Sequence, residues 1–338
     1  FGLMDPNSID FIGQTSGTTG GISKLINFTP NIRFYTAKQI VKQNDITAED
    51  AILLLSSLSQ GIGNLIGLTV SAISASKVIL CEQFNAEDAL GQVEREMPTI
   101  IEAVPAQLSM LLRSPNFEKT DFRHVRFFLS AGAVLPDEVA MELIGKTNSS
   151  LVNVYGASDG GIAAISNIHM EKEVVLRTVG KPLPGMGVKV VDIHGTESPS
   201  QEVGEVIFRG PGTPVSYFEN PEATAQAYDN EGYYHSGYLC MFDEKGYLHI
   251  LGRLKDLIIR GGQNVDPKEI EGILAKHPKI GEIAVVGMPD EILGERICAY
   301  VVLRDVVDNI SLDEITGFLK KDGIAICNFP ERVKIVPE

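Results

Sequence analysis

From residue 30 to residue 155 the apolar positions alternate between two spacings. Helical spacing predicts helices over 30–43, 64–75, 86–96, 106–113 and 136–144. Short unbroken apolar runs predict strands over 51–55, 78–81, 99–104, 126–129 and 151–154. Asn85 can cap the helix that follows it, with Glu87 and Asp88 in the first turn. Pro105 opens another helix, at a position where its missing N–H costs nothing. Strands alternating with helices in this way imply a mostly parallel sheet covered by helices.

After about residue 178 the rhythm changes. Short runs over 188–191, 205–209 and 247–251, separated by Gly/Pro turns, predict an antiparallel β subdomain. A break at 253–256 precedes a helix over 267–276, strands over 283–287 and 296–303, and a helix over 312–320. The expected fold class is α/β: a mostly parallel helix-covered sheet plus an antiparallel β subdomain, followed by a small α+β C-terminal domain. The first domain is expected to end at 252 and the second to run over 253–338.

Composition narrows the function. A chain of 338 residues has room for two domains, and 44% hydrophobic with 22% charged residues is the balance of a soluble globular protein. A net charge of −15 argues against a nucleic-acid partner but leaves ATP open, since ATP needs only a few local cations. The stretch 51–76 carries no charge, but Ser, Gln, Asn and Thr interrupt it. It therefore reads as a buried strand, a Gly-rich turn and a buried helix, and no membrane span is expected. Four cysteines and six histidines are scattered without metal-ligand spacing, so a reducing cytoplasm is the expected location.

The densest chemical signal is Thr15-Ser-Gly-Thr-Thr-Gly-Gly-Ile-Ser-Lys24, in which seven of the first eight residues are Gly, Ser or Thr. Apolar runs over 9–12 and 25–28 flank it, so it reads as a loop between two strands. Glycines let backbone N–H groups approach a phosphate, hydroxyls donate to it and the lysine neutralises it. A polar surface hairpin loop is the plainer reading. A Walker A loop is excluded by Ile22, which stands where its second glycine would fall, and a P-loop ATPase or kinase is disfavoured with it.

This loop resembles the phosphate-binding loop of the adenylate-forming enzymes: acyl-CoA synthetases, aryl-acid activating enzymes and peptide-synthetase adenylation domains. Further segments resemble the family in order. They are Ser130-Ala-Gly-Ala-Val-Leu-Pro136, Tyr155-Gly-Ala-Ser-Asp159, Gly180-Lys-Pro-Leu-Pro-Gly185, Gly204-Glu-Val-Ile-Phe-Arg-Gly210, Gly252-Arg-Leu-Lys-Asp256 and Arg260-Gly-Gly-Gln-Asn-Val-Asp-Pro-Lys-Glu-Ile-Glu271. The aryl-acid and acyl-CoA ligase branches look nearest. The resemblance implies ATP-dependent activation of an aryl or acyl carboxylic acid to an acyl-adenylate, with release of pyrophosphate. Transfer to a thiol follows, on CoA or on the phosphopantetheine of a carrier protein. Mg²⁺ is the implied metal.

Residue by residue, the resemblance implies that Thr15, Ser16, Gly17, Thr18, Thr19, Gly20 and Lys24 hold the β/γ-phosphates. Ala131, Gly132 and Ala133 belong to a second nucleotide loop. Tyr155 would stack on adenine beside Gly156, Ser158 would contact the α-phosphate, and Asp159 would help bind Mg²⁺. Arg253 would contact ribose and phosphate, and Asp256 would be the interdomain hinge. Gln60, Gly61 and Gly156 would line the acid pocket, and Gly261 and Gly262 the pantetheine path. Plainer readings are a β-to-α turn with Asp159 as helix cap, a solvated salt-bridge pair for Arg253 and Asp256, and a simple turn at Gly261–Gly262.

Departures from the family pattern stand beside these matches. Tyr238 occupies the place of an aspartate that grips the ribose hydroxyls, and a phenol cannot accept two charge-assisted hydrogen bonds as a carboxylate can. This motivates the alternative of a catalytically weakened nucleotide- or acyl-binding member of the same fold. Asp159 is one methylene shorter than the family's glutamate. In Ser57-Leu-Ser-Gln-Gly-Ile-Gly63, Gln60 stands where relatives often have His, and Gly61 where the aryl-acid branch usually has Asn. No carboxylate stands there for an amino-acid substrate. The chain is also expected to lack the family's upstream part and its C-terminal lysine segment.

Overall fold

A computed structural model describes residues 5–14, 24–59, 61–261, 263–304 and 309–337. By spatial clustering the chain forms two compact units: one of residues 1–236 and 240–250, the other of 237–239 and 251–338.

In the first unit, β1 (Phe11–Gln14) and β2 (Leu25–Phe28) pair antiparallel, with Gln14 opposite Leu25. The loop 15–23 between them, which carries the phosphate-loop reading, lies outside the described residues. Helix α1 (Pro30–Gln43) starts where Thr29 accepts a hydrogen bond from the Ile32 amide. A seven-stranded sheet follows, built on β3 (Ala51–Leu54), β4 (Lys77–Leu80), β5 (Ile100–Ala103), β6 (Phe127–Ser130) and β7 (Ser150–Ala157), all paired parallel. The connections are α2 (Thr69–Ser74), α3 (Ala86–Glu96), α4 (Pro105–Arg113) and α5 (Asp137–Thr147). Asn85 caps α3 through the amides of Glu87 and Asp88. The sheet ends with two antiparallel strands, β8 (Gly161–Ile165) and β9 (Lys181–Pro182), reached past α6 (Lys172–Arg177).

One face of the parallel strands presents Leu53, Leu55, Ile101, Ala103, Phe128 and Leu151 to helices α3–α5. Leu54, Glu102 and Leu129 stand side by side in register, and successive strand residues face opposite ways, so they take the other face. The segment expected as one apolar helix is two. Ile62–Leu68 is a π-helix, which runs straight into α2. Its opening is visible at Thr69, whose N–H and hydroxyl both return to the Asn64 carbonyl, five residues back.

A four-stranded sheet comes next, in the order β10 (Gly187–Val191), β11 (Gly204–Arg209), β12 (Tyr234–Phe242), β13 (Leu248–Arg253), with α7 (Pro221–Ala227) inserted. The strand β12 was absent from the sequence expectation. In the second unit, β14 (Ile258–Arg260), β15 (Gln263–Val265), β16 (Ile280–Asp290), β17 (Gly294–Leu303) and β18 (Arg332–Ile335) form a five-stranded sheet. Helices α8 (Pro267–Leu274) and α9 (Leu312–Lys321) complete it, around a core that includes Ile258, Ile270, Ile297, Val301, Ile315 and Leu319. The four cysteines are free thiols. No helix among the described residues is long and apolar enough to cross a membrane.

Candidate active site

Several motif residues sit at the carboxyl ends of the parallel strands, where open α/β sheets bind ligands. The Ser130 strand end leads into Ala131, which is buried, and then Gly132 and Ala133, which are exposed. Gly132 has φ +89°, and a Cβ there would lie 2.5 Å from Ile62 Cδ1 at the start of the π-helix. Glycine thus lets this loop lie against the start of the π-helix. Gly61 opens that helix with open space where a side chain would stand. Gln60, between Ser59 and Gly61, lies outside the described residues, as does Gly262.

Beneath this segment lies a buried acid that sequence reasoning did not single out. Glu102 is 1% exposed, and its Oε2 accepts from the Ser56 amide at 3.3 Å. Burial pushes its carboxyl up to about 7, and Ser56 beside it offsets this only in part. Glu102 Oε1, Ser56 Oγ and Ser130 Oγ each lack a hydrogen bond of good geometry among the described residues. The signal available was one glutamate inside an apolar strand, Ile100-Ile-Glu-Ala103.

The Tyr155–Asp159 segment runs from β7 into β8, a strand-turn-strand connection. The reading of Asp159 as the cap of a following helix is thereby corrected. Tight approach of the two strands dictates the glycine: a Cβ at Gly156 would lie 2.2 Å from the Gly161 carbonyl. Tyr155 is 6% exposed and meets Phe208 edge-on, ring centres 6.4 Å apart. Ser158 is exposed in the turn and Asp159 partly so.

Asp159 is ringed by phenols. Tyr217 donates to Oδ2, Tyr234 to Oδ1 at 2.6 Å, and Tyr228 to the main-chain carbonyl at 2.8 Å. Burial, followed in Tyr217 by the hydrogen bond to Asp159 and in Tyr228 and Tyr234 by that residue's charge, raises all three phenols above their ordinary range. Lys24 is exposed at the start of β2, and its Nζ lies 4.7 Å from the centre of the Tyr217 ring. Tyr217 therefore touches residues from two motifs that are 135 positions apart in the chain. Sequence reasoning missed these tyrosines; the clue was Gly160-Gly161 after Asp159, a pair of glycines that allows close approach.

In the second unit, Arg253 Nε donates to the Tyr238 hydroxyl at 2.8 Å, and the guanidinium lies 5.1 Å from that ring's centre. Asp256 is exposed at the end of a single 3₁₀ turn, Leu254–Asp256. Gly261, at φ +57°, makes the turn between β14 and β15.

No group of three His, Cys, Asp or Glu side chains among the described residues could hold a metal ion. Asp159 alone suits a different kind of site. Each of its oxygens keeps acceptor capacity after taking one phenol. Mg²⁺ at nucleotide sites is held by phosphates and water with one or two carboxylates, and one partly exposed carboxylate fits that demand.

Comparison with known proteins shows which family the chain resembles. The chain is 34% identical over 322 residues to a medium-chain fatty-acid–CoA ligase of Escherichia coli, covering 95% of this chain and 56% of that protein. It is 28% identical over 327 residues to a 2,3-dihydroxybenzoate-AMP ligase of Bacillus subtilis, covering 96% of this chain and 60% of that one. The structure of O-succinylbenzoate coenzyme A synthetase from Bacillus subtilis, in complex with ATP and magnesium ion, superposes with a TM-score of 0.85 at 29% identity. That match covers 98% of this chain and 67% of that one. The chain thus spans little more than half the length of the curated relatives it matches. The AMP-binding enzyme family matches residues 3–218 and the C-terminal domain of AMP-binding enzymes matches residues 269–338, so the chain belongs to the AMP-binding enzyme family.

Proposed function

We propose that the protein carrying these residues activates a carboxylic acid with ATP and passes the acyl group to a thiol. A carboxylate is a poor electrophile, because its oxygen leaves badly and its charge repels nucleophiles. In the reaction a carboxylate oxygen bonds to the α-phosphorus, the bond to the bridging oxygen breaks, and pyrophosphate departs with the electron pair. A thiolate then attacks the acyl carbon and AMP leaves.

The observation that carries this reading is Tyr217, which touches both Lys24 and Asp159. A cation suited to phosphate and a carboxylate suited to a metal meet around one ring. Lys24 and the loop Thr15–Gly20 would stabilise charge building on pyrophosphate. Ser158 would steady the α-phosphate, Tyr155 the adenine, and Ala131, Gly132 and Ala133 the nucleotide's other side. Gln60, Gly61 and Gly156 would bound the acid. Arg253 would reach the ribose and phosphate, Asp256 would act as hinge between the 1–252 and 253–338 domains, and Gly261 and Gly262 would line the path of pantetheine. Mg²⁺ supplies further neutralisation of the phosphates when bound, and Asp159 would help hold it. CoA is the acceptor favoured by the fatty-acid–CoA ligase relative; a carrier-protein thiol is the other acceptor the chemistry admits. A cytoplasmic location accords with ATP and CoA as substrates.

Carboxylate-dependent ATP–pyrophosphate exchange by the full-length protein tests the proposal, with medium-chain fatty acids, hydroxybenzoates, benzoate and cinnamates side by side. Exchange with one class establishes adenylation and identifies the acid. No exchange with any acid ends this reading.

One observation favours a second reading, a weakened member of the fold. Tyr238 replaces the ribose carboxylate and also engages Arg253. On that reading Tyr238→Asp raises activity steeply, whereas ordinary activity in the unaltered protein disposes of it.

A further inference from the structure

Three phenols converge on Asp159 from three separate places in the chain. Tyr217 pairs with Ile26 of β2, Tyr228 follows α7, and Tyr234 begins β12. Their rings are packed: Tyr228 and Tyr234 lie 5.4 Å apart, and Phe208 lies 5.3 Å from Tyr234. Tyr217 and Tyr234 are buried. The turn is shaped to admit them, because a Cβ at Gly160 would lie 2.4 Å from the Tyr234 ring. An aspartate in an open turn samples several rotamers. This one has both oxygens and its carbonyl bonded to phenols, two of whose rings pack against each other.

We propose that Tyr217, Tyr228 and Tyr234 are positioning residues that hold the Asp159 carboxylate in one orientation, as an acceptor for the hydration shell of a nucleotide-bound divalent cation. The proposal rests on the adenylation reading, which makes Asp159 the metal-side acid. Aspartate reaches one methylene less far than glutamate; on this proposal a water bridges the carboxylate to the ion, and a water-bridged contact needs its acceptor fixed. Tyr217 and Tyr234 fix the two oxygens. Tyr228 fixes the peptide from which the side chain springs.

The test compares ATP binding by the full-length protein with Mn²⁺ as the metal probe and with EDTA instead. The ratio of the two dissociation constants is the metal-dependent gain. Tyr234→Phe and Tyr217→Phe keep each ring and remove only its hydroxyl. The gain is expected to fall about tenfold in each, as for other residues that orient a metal ligand. Metal-free affinity is expected to stay within about twofold. Gly160→Ala, which displaces the Tyr234 ring while removing no hydroxyl, moves the gain the same way. Asp159→Glu added to Tyr234→Phe restores it, because the longer side chain reaches without being held. Equal losses with and without metal, or no loss at all, overturn the proposal: the tyrosines would then only tie the β7–β8 turn to its neighbours. A full-length protein that binds ATP equally well with and without metal overturns the metal role of Asp159 itself. One that binds no ATP overturns the adenylation reading.

Discussion

The two ends of the parallel sheet treat a buried carboxylate in opposite ways. At the amino ends, Asp50 precedes β3 and takes both Arg126 Nη1 contacts at 2.7 Å, the Thr99 hydroxyl at 2.6 Å and the Thr47 amide at 2.9 Å. Burial pushes its carboxyl up, but the bonds from Thr99 and Arg126 outweigh this and hold it below its ordinary value. Arg126 also donates to the carbonyls of Asn44 and Asp45, so one residue stitches the starts of two strands to the end of α1. At the carboxyl ends, Glu102 has one amide, and burial dominates. The carboxylate at the amino end has its capacity matched, whereas Glu102 Oε1, at the end where this fold class binds ligands, has no good hydrogen bond among the described residues.

The most damaging way to break this comparison is Asp50→Ala. It strands the Arg126 guanidinium, which is one-third exposed and so only partly rescued by water. A loss of about 3 kcal/mol is expected in urea unfolding, toward the low end for a broken buried pair. A loss below about 1 kcal/mol would mean that the amino end is no anchor. Because the folded value of Asp50 is depressed, its contribution is present above the unfolded carboxylate pKa of 3.8 and lost as pH falls through the folded value.

Glu102→Gln sharpens the comparison with the opposite sign. The folded value is raised from 4.5 to about 7, so stability is fullest below pH 4.5 and is lost as pH rises through 7. At 1.36 kcal/mol per unit the penalty has a ceiling of about 3 kcal/mol, and relaxation around a buried ion brings the expected gain on substitution to about 2. Unfolding of the variant and the unaltered protein at pH 4 and pH 8 checks it: equal stability at pH 4 and a more stable variant at pH 8. A gain of the same size at both pH values would refute the charge argument.

The smallest effects belong to Ser56→Ala and Ser130→Ala, each expected within about 0.5 kcal/mol, because neither hydroxyl completes a good hydrogen bond. A larger loss, seen in the same unfolding curves, would show that the carboxyl end is as tightly matched as the other.

Where the sequence was legible, a local cause made it so. Thr29 and Asn85 cap α1 and α3, and both helices occupy 30–43 and 86–96 as the pattern predicts. The inner parallel strands announce themselves because both faces are buried and the runs are apolar apart from Glu102 and Ser130. What escaped has no such mark. Strand β12 reads Tyr-His-Ser-Gly-Tyr-Leu-Cys-Met-Phe, without alternation and with Gly237 at φ +68°. The β7–β8 turn looks like the end of a strand before a helix, since nothing local to Asp159 says that its partners are tyrosines 58 to 75 residues away. The same holds for the buried setting of Glu102, which depends on the packing of neighbouring strands.

The π-helix has a consequence for a change of length in its segment. A π turn holds one residue more than an α turn closing the same gap. Removing one residue from 63–66 would let the segment rewind as α-helix, anchored where Gly67 lies against Leu54. Because the α turn closes the same gap, Gly61 and Ile62 would keep the faces they now present, Ile62 against Gly132, and only the residues of the wide turn would be redistributed about the axis. A single-codon deletion here would thus be absorbed by rewinding and not passed on to the chain before it.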